Sequence, residues 1–115
     1  LHNLILTSML IRKVKGERIF FIRDKILSIA YLLSKALVFI TGDTGLKHIA
    51  VAVRTPTITI YGPYDPWVWN PPDTERFPYF IADSGCVLCR TAYCKTGTRE
   101  CMYNIKPEIV FYKAL

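Results

Sequence analysis

Gly42-Asp43-Thr44-Gly45, followed directly by Leu46-Lys47-His48, is a tight glycine-bounded turn that runs into a helical stretch of small and apolar residues. Such a turn favours an anion: the first N–H groups of a helix have no partner within it, and the helix dipole adds partial positive charge there. Gly45 lets a phosphate approach the backbone closely, and Thr44 offers a hydroxyl. His48, one turn on, can donate to a phosphate oxygen or stabilise a departing diphosphate. The plainer reading makes Asp43 or Thr44 an N-cap and His48 a partly buried helix residue. Spacing alone does not decide between the two.

A second constellation is Cys86-x2-Cys89-x4-Cys94-x6-Cys101, with Arg90, Lys95 and Arg99 between its members. Four thiolates at these spacings suit a structural Zn²⁺ in tetrahedral coordination. Two disulfides, or thiols left free or partly paired, also fit. No cationic leader with a small-residue cleavage site opens the chain, so nothing indicates export, and zinc is favoured over disulfides. Thiol catalysis is disfavoured, because the histidines are His2 and His48, both remote in sequence.

These groups need elements to position them. Leu4, Ile5, Met9, Leu10 and Ile11, followed by Arg12, Lys13 and Lys15, predict a helix ending at Gly16. Residues 18–23 read as a strand. Asp24 stands as the N-cap of a helix carrying Ile26, Ile29, Ala30, Leu33 and Ala36 at helical spacing. Leu37 to Thr41 is a continuous apolar run, predicting a strand buried on both faces. A helix over 46–53 and a strand over 57–61 complete an alternation of helix and strand, hence an α/β layer with parallel strands. In such sheets, ligands bind at the carboxyl ends of the strands, where the Gly42–Gly45 turn must lie.

Beyond Tyr61, Pro63, Pro66, Pro71, Pro72 and Pro78 cluster with Trp67 and Trp69. Residues 62–85 are therefore predicted to form an ordered loop with its tryptophans buried. The cysteines occupy 86–101, and Pro107-Glu108 opens a last helix over 107–115.

Composition narrows the class. The chain has 115 residues, 51% of them hydrophobic and 21% charged, enough for one packed domain or a piece of one. Leu at position 1 reads as a chain continuing from a longer protein. Net charge is +6, which suits phosphate-bearing ligands, nucleic acid or an anionic membrane. The cations are scattered rather than dense, so a solvated face is the simpler explanation and no nucleic-acid partner is expected. The longest apolar run, 26–40, is interrupted by Lys35 and is too short to span a membrane.

Asp43-Thr-Gly-Leu-Lys-His48-Ile-Ala, then Arg54-Thr-Pro-Thr-Ile-Thr-Ile-Tyr-Gly-Pro-Tyr-Asp-Pro66, closely resembles the signature of glycosyltransferase family 9, the ADP-heptose:lipopolysaccharide heptosyltransferases. Its members show D-[ST]-G-x-x-H, a short helix, a strand and [FY]-G-P-T-D-P; here Tyr64 replaces the usual Thr. Cys101-Met102 with Ile105-Lys-Pro-Glu-Ile-Val110 is similar to the family's ending. The resemblance covers about residues 24 to 110 and fits 1–23 only loosely. It implies a GT-B architecture of two Rossmann-like domains, this chain being part of the C-terminal, donor-binding one. By the same resemblance Thr44, Gly45 and His48 bind the donor diphosphate. Asp43 organises the turn or contacts the sugar, while Gly62 and Pro63 shape the loop below the donor. The transfer inverts the anomeric centre without requiring a metal or other cofactor. The general base belongs to the N-terminal domain, so no catalytic residue is expected within this chain.

The implied donor is ADP-heptose or a related nucleotide sugar, and the acceptor is the lipopolysaccharide core, reached through the N-terminal domain. The implied place is the cytoplasm, at the inner face of the inner membrane and in peripheral contact with it. A non-catalytic, zinc-stapled α/β binding module is the competing expectation, and a zinc-knuckle nucleic-acid binder a third. Sensitivity to ADP separates the first from the second.

Overall fold

The computed structural model describes residues 20, 22–86 and 88–115. The helix expected before Gly16 lies outside the described residues, as do residues 18, 19 and 21 of the strand expected over 18–23; Phe20, Ile22 and Arg23 are in no strand. Helix α1 (Ile26–Lys35) is followed by β1 (Phe39–Gly42), α2 (Gly45–Ala52) and β2 (Thr57–Tyr61). Then come the single-turn α3 (Pro66–Trp69), β3 (Tyr79–Ile81), the short α4 (Glu100–Tyr103) and α5 (Pro107–Ala114).

The strands form one parallel sheet in the order β1-β2-β3, with Phe39 beside Thr57 and Thr59 beside Tyr79. The α/β fold with parallel strands is thus the one read from the alternation of elements. β2 is central, and Thr57, Ile58, Thr59 and Tyr61 are all buried, as parallel strands between helices require. Its side chains alternate: Tyr61 reaches Lys47 of α2, whereas Ile60 lines a groove with Val110 and Phe111 of α5.

β1 departs from expectation. It starts at Phe39, whose N–H meets the Pro56 carbonyl at 2.8 Å, and Leu37 is left exposed before it. Ile40 is 45% exposed, so this strand is not covered on both faces. The physical reason is placement: α5 packs against β2, and Ile40 borders an open apolar groove of about 310 Å³ beside it.

The N-cap of α1 is Lys25 rather than Asp24. The Asp24 carboxylate accepts the Lys25 N–H at 2.6 Å, one residue too early to serve the first turn. Leu33 alone of this helix is fully buried, and its carbonyl accepts the Thr55 hydroxyl at 2.6 Å.

Helix α2 ends in a Schellman arrangement: Arg54 N–H bonds the Val51 carbonyl at 3.0 Å, and Thr55 N–H bonds that of Ala50 at 2.9 Å. The left-handed position is held by Arg54, with φ of 63°, although glycine is the residue suited to it. Its side chain is exposed, and the guanidinium of Arg76 grips only its carbonyl, at 2.7 and 3.0 Å. Arg54→Gly is therefore expected to raise stability by up to about 1 kcal/mol, read as a higher midpoint in urea. A lower midpoint would show that the Arg54 side chain contributes more than its backbone costs.

The proline-rich stretch is ordered but not as predicted. Asp65 caps α3, accepting the Trp67 N–H at 3.0 Å, and Pro66 takes the first helical position. Asn70 donates to the carbonyls of Pro71 and Phe77 at 3.1 and 2.9 Å. Trp67 and Trp69, expected to be buried, are 72% and 51% exposed. One turn of helix has only one inward face, and Pro66 occupies it. β3, starting just past Pro78, forms within the stretch read as loop, and α4 forms at the end of the cysteine cluster, where no element was read.

Candidate functional site

β1 delivers the chain to Gly42 at its carboxyl end, and α2 begins at Gly45, so Asp43 and Thr44 form the turn between them. Thr44 is the N-cap residue, with extended backbone, yet its side chain makes no capping hydrogen bond. Its hydroxyl lies 3.3 Å from that of Thr41 and leaves the first amides of α2 without a side-chain cap. This departs from the plainer reading of Thr44 as an ordinary cap. A Cβ placed on Gly45 would meet nothing within 4 Å, so its lack of a side chain serves no internal packing.

Asp43, Thr44, Gly45 and His48 line one open hollow of about 290 Å³ together with Tyr64 and Trp69. His48 is exposed, and its ring meets Trp69 edge-on with centroids 6.4 Å apart. Backbone amides, a hydroxyl and an imidazole therefore face one space beside a flat aromatic surface. That combination is chemically suited to an oxyanion attached to a larger group.

Beneath the turn lies a residue that sequence reading missed. Lys47 is fully buried, and its ammonium forms an ion pair with the Asp43 carboxylate. It also donates to the Tyr61 hydroxyl at 2.9 Å and to the Trp69 carbonyl at 3.0 Å. Three donors thus meet three acceptors, as a buried ammonium requires. Burial, then the nearby Asp43 carboxylate, then Tyr79, push the Tyr61 phenol well above its usual range, so it stays protonated. The Asp43–Lys47 spacing of four residues was the available signal, but on a helix surface such pairs are common and weak.

Gly62 and Pro63 do not line this hollow. A Cβ on Gly62 would come within 3.0 Å of Met102 Sδ, so glycine there allows α4 to pack against the end of β2. Pro63 instead borders a second cavity, which Cys86, Cys89, Cys94 and Cys101 also line. No disulfide joins any two of the four cysteines. The Thr96 hydroxyl and the Arg99 N–H lower the Cys94 thiol to about 7, whereas burial and the neighbouring thiols raise that of Cys101.

The sequence profile of glycosyltransferase family 9 (heptosyltransferase) matches residues 23–99, most of the chain. The chain belongs to this family. Among curated relatives, lipooligosaccharide heptosyltransferase 2 of Campylobacter jejuni (serotype O:2) is 30% identical over 76 residues, covering 66% of this chain and 24% of the relative. The Haemophilus influenzae protein of the same name is 29% identical over 83 residues, 71% of this chain and 24% of the relative. The chain therefore spans about a quarter of the length of the family members it matches. No solved structure gives a significant match. The family match includes the 43–48 turn, the 62–66 segment and Cys86 to Cys94. No helix among the described residues is long and apolar enough to cross a membrane.

Proposed function

We propose that this chain is the donor-diphosphate-binding part of an inverting heptosyltransferase of GT-B architecture, which moves heptose from ADP-heptose to the lipopolysaccharide core. The observation that carries the reading is the uncapped start of α2 facing one hollow with the Thr44 hydroxyl, Gly45 and His48. In the transfer, the sugar leaves a nucleoside diphosphate, and negative charge builds on the phosphate oxygen nearest the broken bond. Helix amides, a hydroxyl and an imidazole N–H are donors for that charge, fixed by the fold before reaction. Asp43, held by Lys47, is committed to shaping the turn, which leaves Thr44 and His48 as the side chains free to meet phosphate. The aromatic wall of Tyr64 and Trp69 suits the sugar or adenosine flanking the diphosphate. That the relatives are lipooligosaccharide heptosyltransferases supports heptosyl transfer in lipooligosaccharide assembly. The general base, acceptor site and place of action, at the inner face of the inner membrane, belong to this reading of the whole protein.

The test is calorimetric titration with ADP. His48→Ala is expected to weaken binding about tenfold, the scale of one hydrogen bond to a charged group. ADP should also shift the backbone amide resonances of Thr44, Gly45 and His48. A protein indifferent to ADP would be an interaction module, and the proposal would be withdrawn.

A further inference from the structure

The segment between β3 and α4 lacks the usual sources of order. Its described residues form no helix or strand, and none of the described residues from Asp83 to Arg99 is buried. Leu88, Arg90 and Arg99 hold left-handed backbone, with φ of 64°, 54° and 52°. Each is a position where a side chain is unfavourable, so something must hold the loop against that cost and against its entropy.

Cys86, Cys89, Cys94 and Cys101 all face the same cavity, of about 310 Å³. Free cysteine is ordinarily a buried, packing residue, yet Cys86 and Cys89 are exposed and the other two only half-buried. Packing does not explain four such thiols around one hollow. Their common property is soft sulfur donation, and four sulfur donors form a tetrahedral Zn²⁺ set.

We infer that these four cysteines bind one structural Zn²⁺. Binding converts four thiols and Zn²⁺ into a tetrathiolate of charge −2, with release of four protons. Outer support for the sulfurs is already in place. The Arg99 N–H points at Cys94 Sγ from 3.3 Å, and the hydroxyls of Thr91 and Thr96 lie 3.3 Å from Cys89 and Cys94 Sγ. Lys95 and Arg99 line the same cavity and offset the negative charge. As placed, the thiols stand around the wall; among the described residues no three metal-binding side chains already form a coordination set.

The site is coupled to the donor side. Arg90 donates its N–H to the Pro63 carbonyl at 2.9 Å and its guanidinium to Asp65 at 3.2 Å. The cysteine loop thereby holds residues 62–65, which carry Tyr64 into the phosphate hollow.

The test is Co²⁺ titration of the reduced, chelator-treated protein. We expect intense sulfur-to-cobalt charge-transfer bands with tetrahedral ligand-field bands, saturating at one equivalent and abolished by one equivalent of Zn²⁺. Native mass spectrometry of protein purified without added metal should show one zinc per chain. Cys94→Ser should weaken Co²⁺ binding at least tenfold; the result for the unsubstituted protein stands even if this variant fails to fold. Absence of charge-transfer bands, or a mass corresponding to two disulfides in protein isolated without oxidant, would overturn the assignment. None of these readouts depends on ADP binding.

Discussion

Lys47→Met is expected to destabilise the protein by about 3 kcal/mol, the lower end of what breaking a buried ion pair costs. Met fills nearly the same volume, so little of the loss comes from a cavity. The cost falls on the groups left behind: the Asp43 carboxylate loses its cation, and the Tyr61 hydroxyl and Trp69 carbonyl lose a donor. Asp43 keeps 17% of its side chain in solvent and can partly rehydrate, which sets the lower end of the range. A domain stable by about 5–15 kcal/mol would feel this as a large fraction of its total. Urea unfolding checks the value. Adding Asp43→Asn to Lys47→Met removes the orphaned charge and should recover part of the loss, giving a coupling energy above about 1 kcal/mol. Strict additivity would mean the pair does not hold the turn. Lys47→Arg should not rescue, since a planar guanidinium does not fit acceptors gathered around a point charge.

Gly45→Val separates binding from folding. Nothing lies within 4 Å of a Cβ at Gly45, so stability should change by less than about 0.5 kcal/mol. The added side chain enters the space a phosphate would take and blocks its bonds to the first amides of α2. Losing two charge-assisted hydrogen bonds corresponds to about 3 kcal/mol, more than a hundredfold in ADP affinity. Unchanged affinity in a folded variant would move the diphosphate away from this turn. Loss of affinity accompanied by unfolding would instead contradict the open space around Gly45.

The two predictions concern different layers of one turn. Thr44, Gly45 and His48 line the open hollow, whereas Asp43, which also borders it, pairs with Lys47 beneath. The outer residues were legible in the sequence as candidates: spacing alone left an anion-binding turn and a plain helix cap both open, and the family resemblance favoured the first. The inner layer was not. Lys47 looks like an ordinary helix-surface lysine until Tyr61 and the Trp69 carbonyl, both remote in sequence, are seen around it.

Local signals determined the elements that depend on local physics. The helical spacing of Ile29, Ala30 and Leu33, the apolar run before the turn, and the alternation in Thr57 to Tyr61 placed α1, β1, α2 and β2 within two residues. The strand–turn–helix junction and the α/β class followed from the same short-range patterns, and the family from the resemblance of residues 43–66 to its signature. Tertiary structure decided what depends on partners distant in the chain. Whether Ile40 is covered is set by the position of α5, and Trp67 and Trp69 remain exposed because Pro66 fills the inward face of α3. β3 is only three residues long and is defined by its pairing with β2 rather than by its own pattern. Periodicity records which faces of an element are apolar; which neighbour covers them, and which buried cation holds the turn, exists only after the chain has closed on itself.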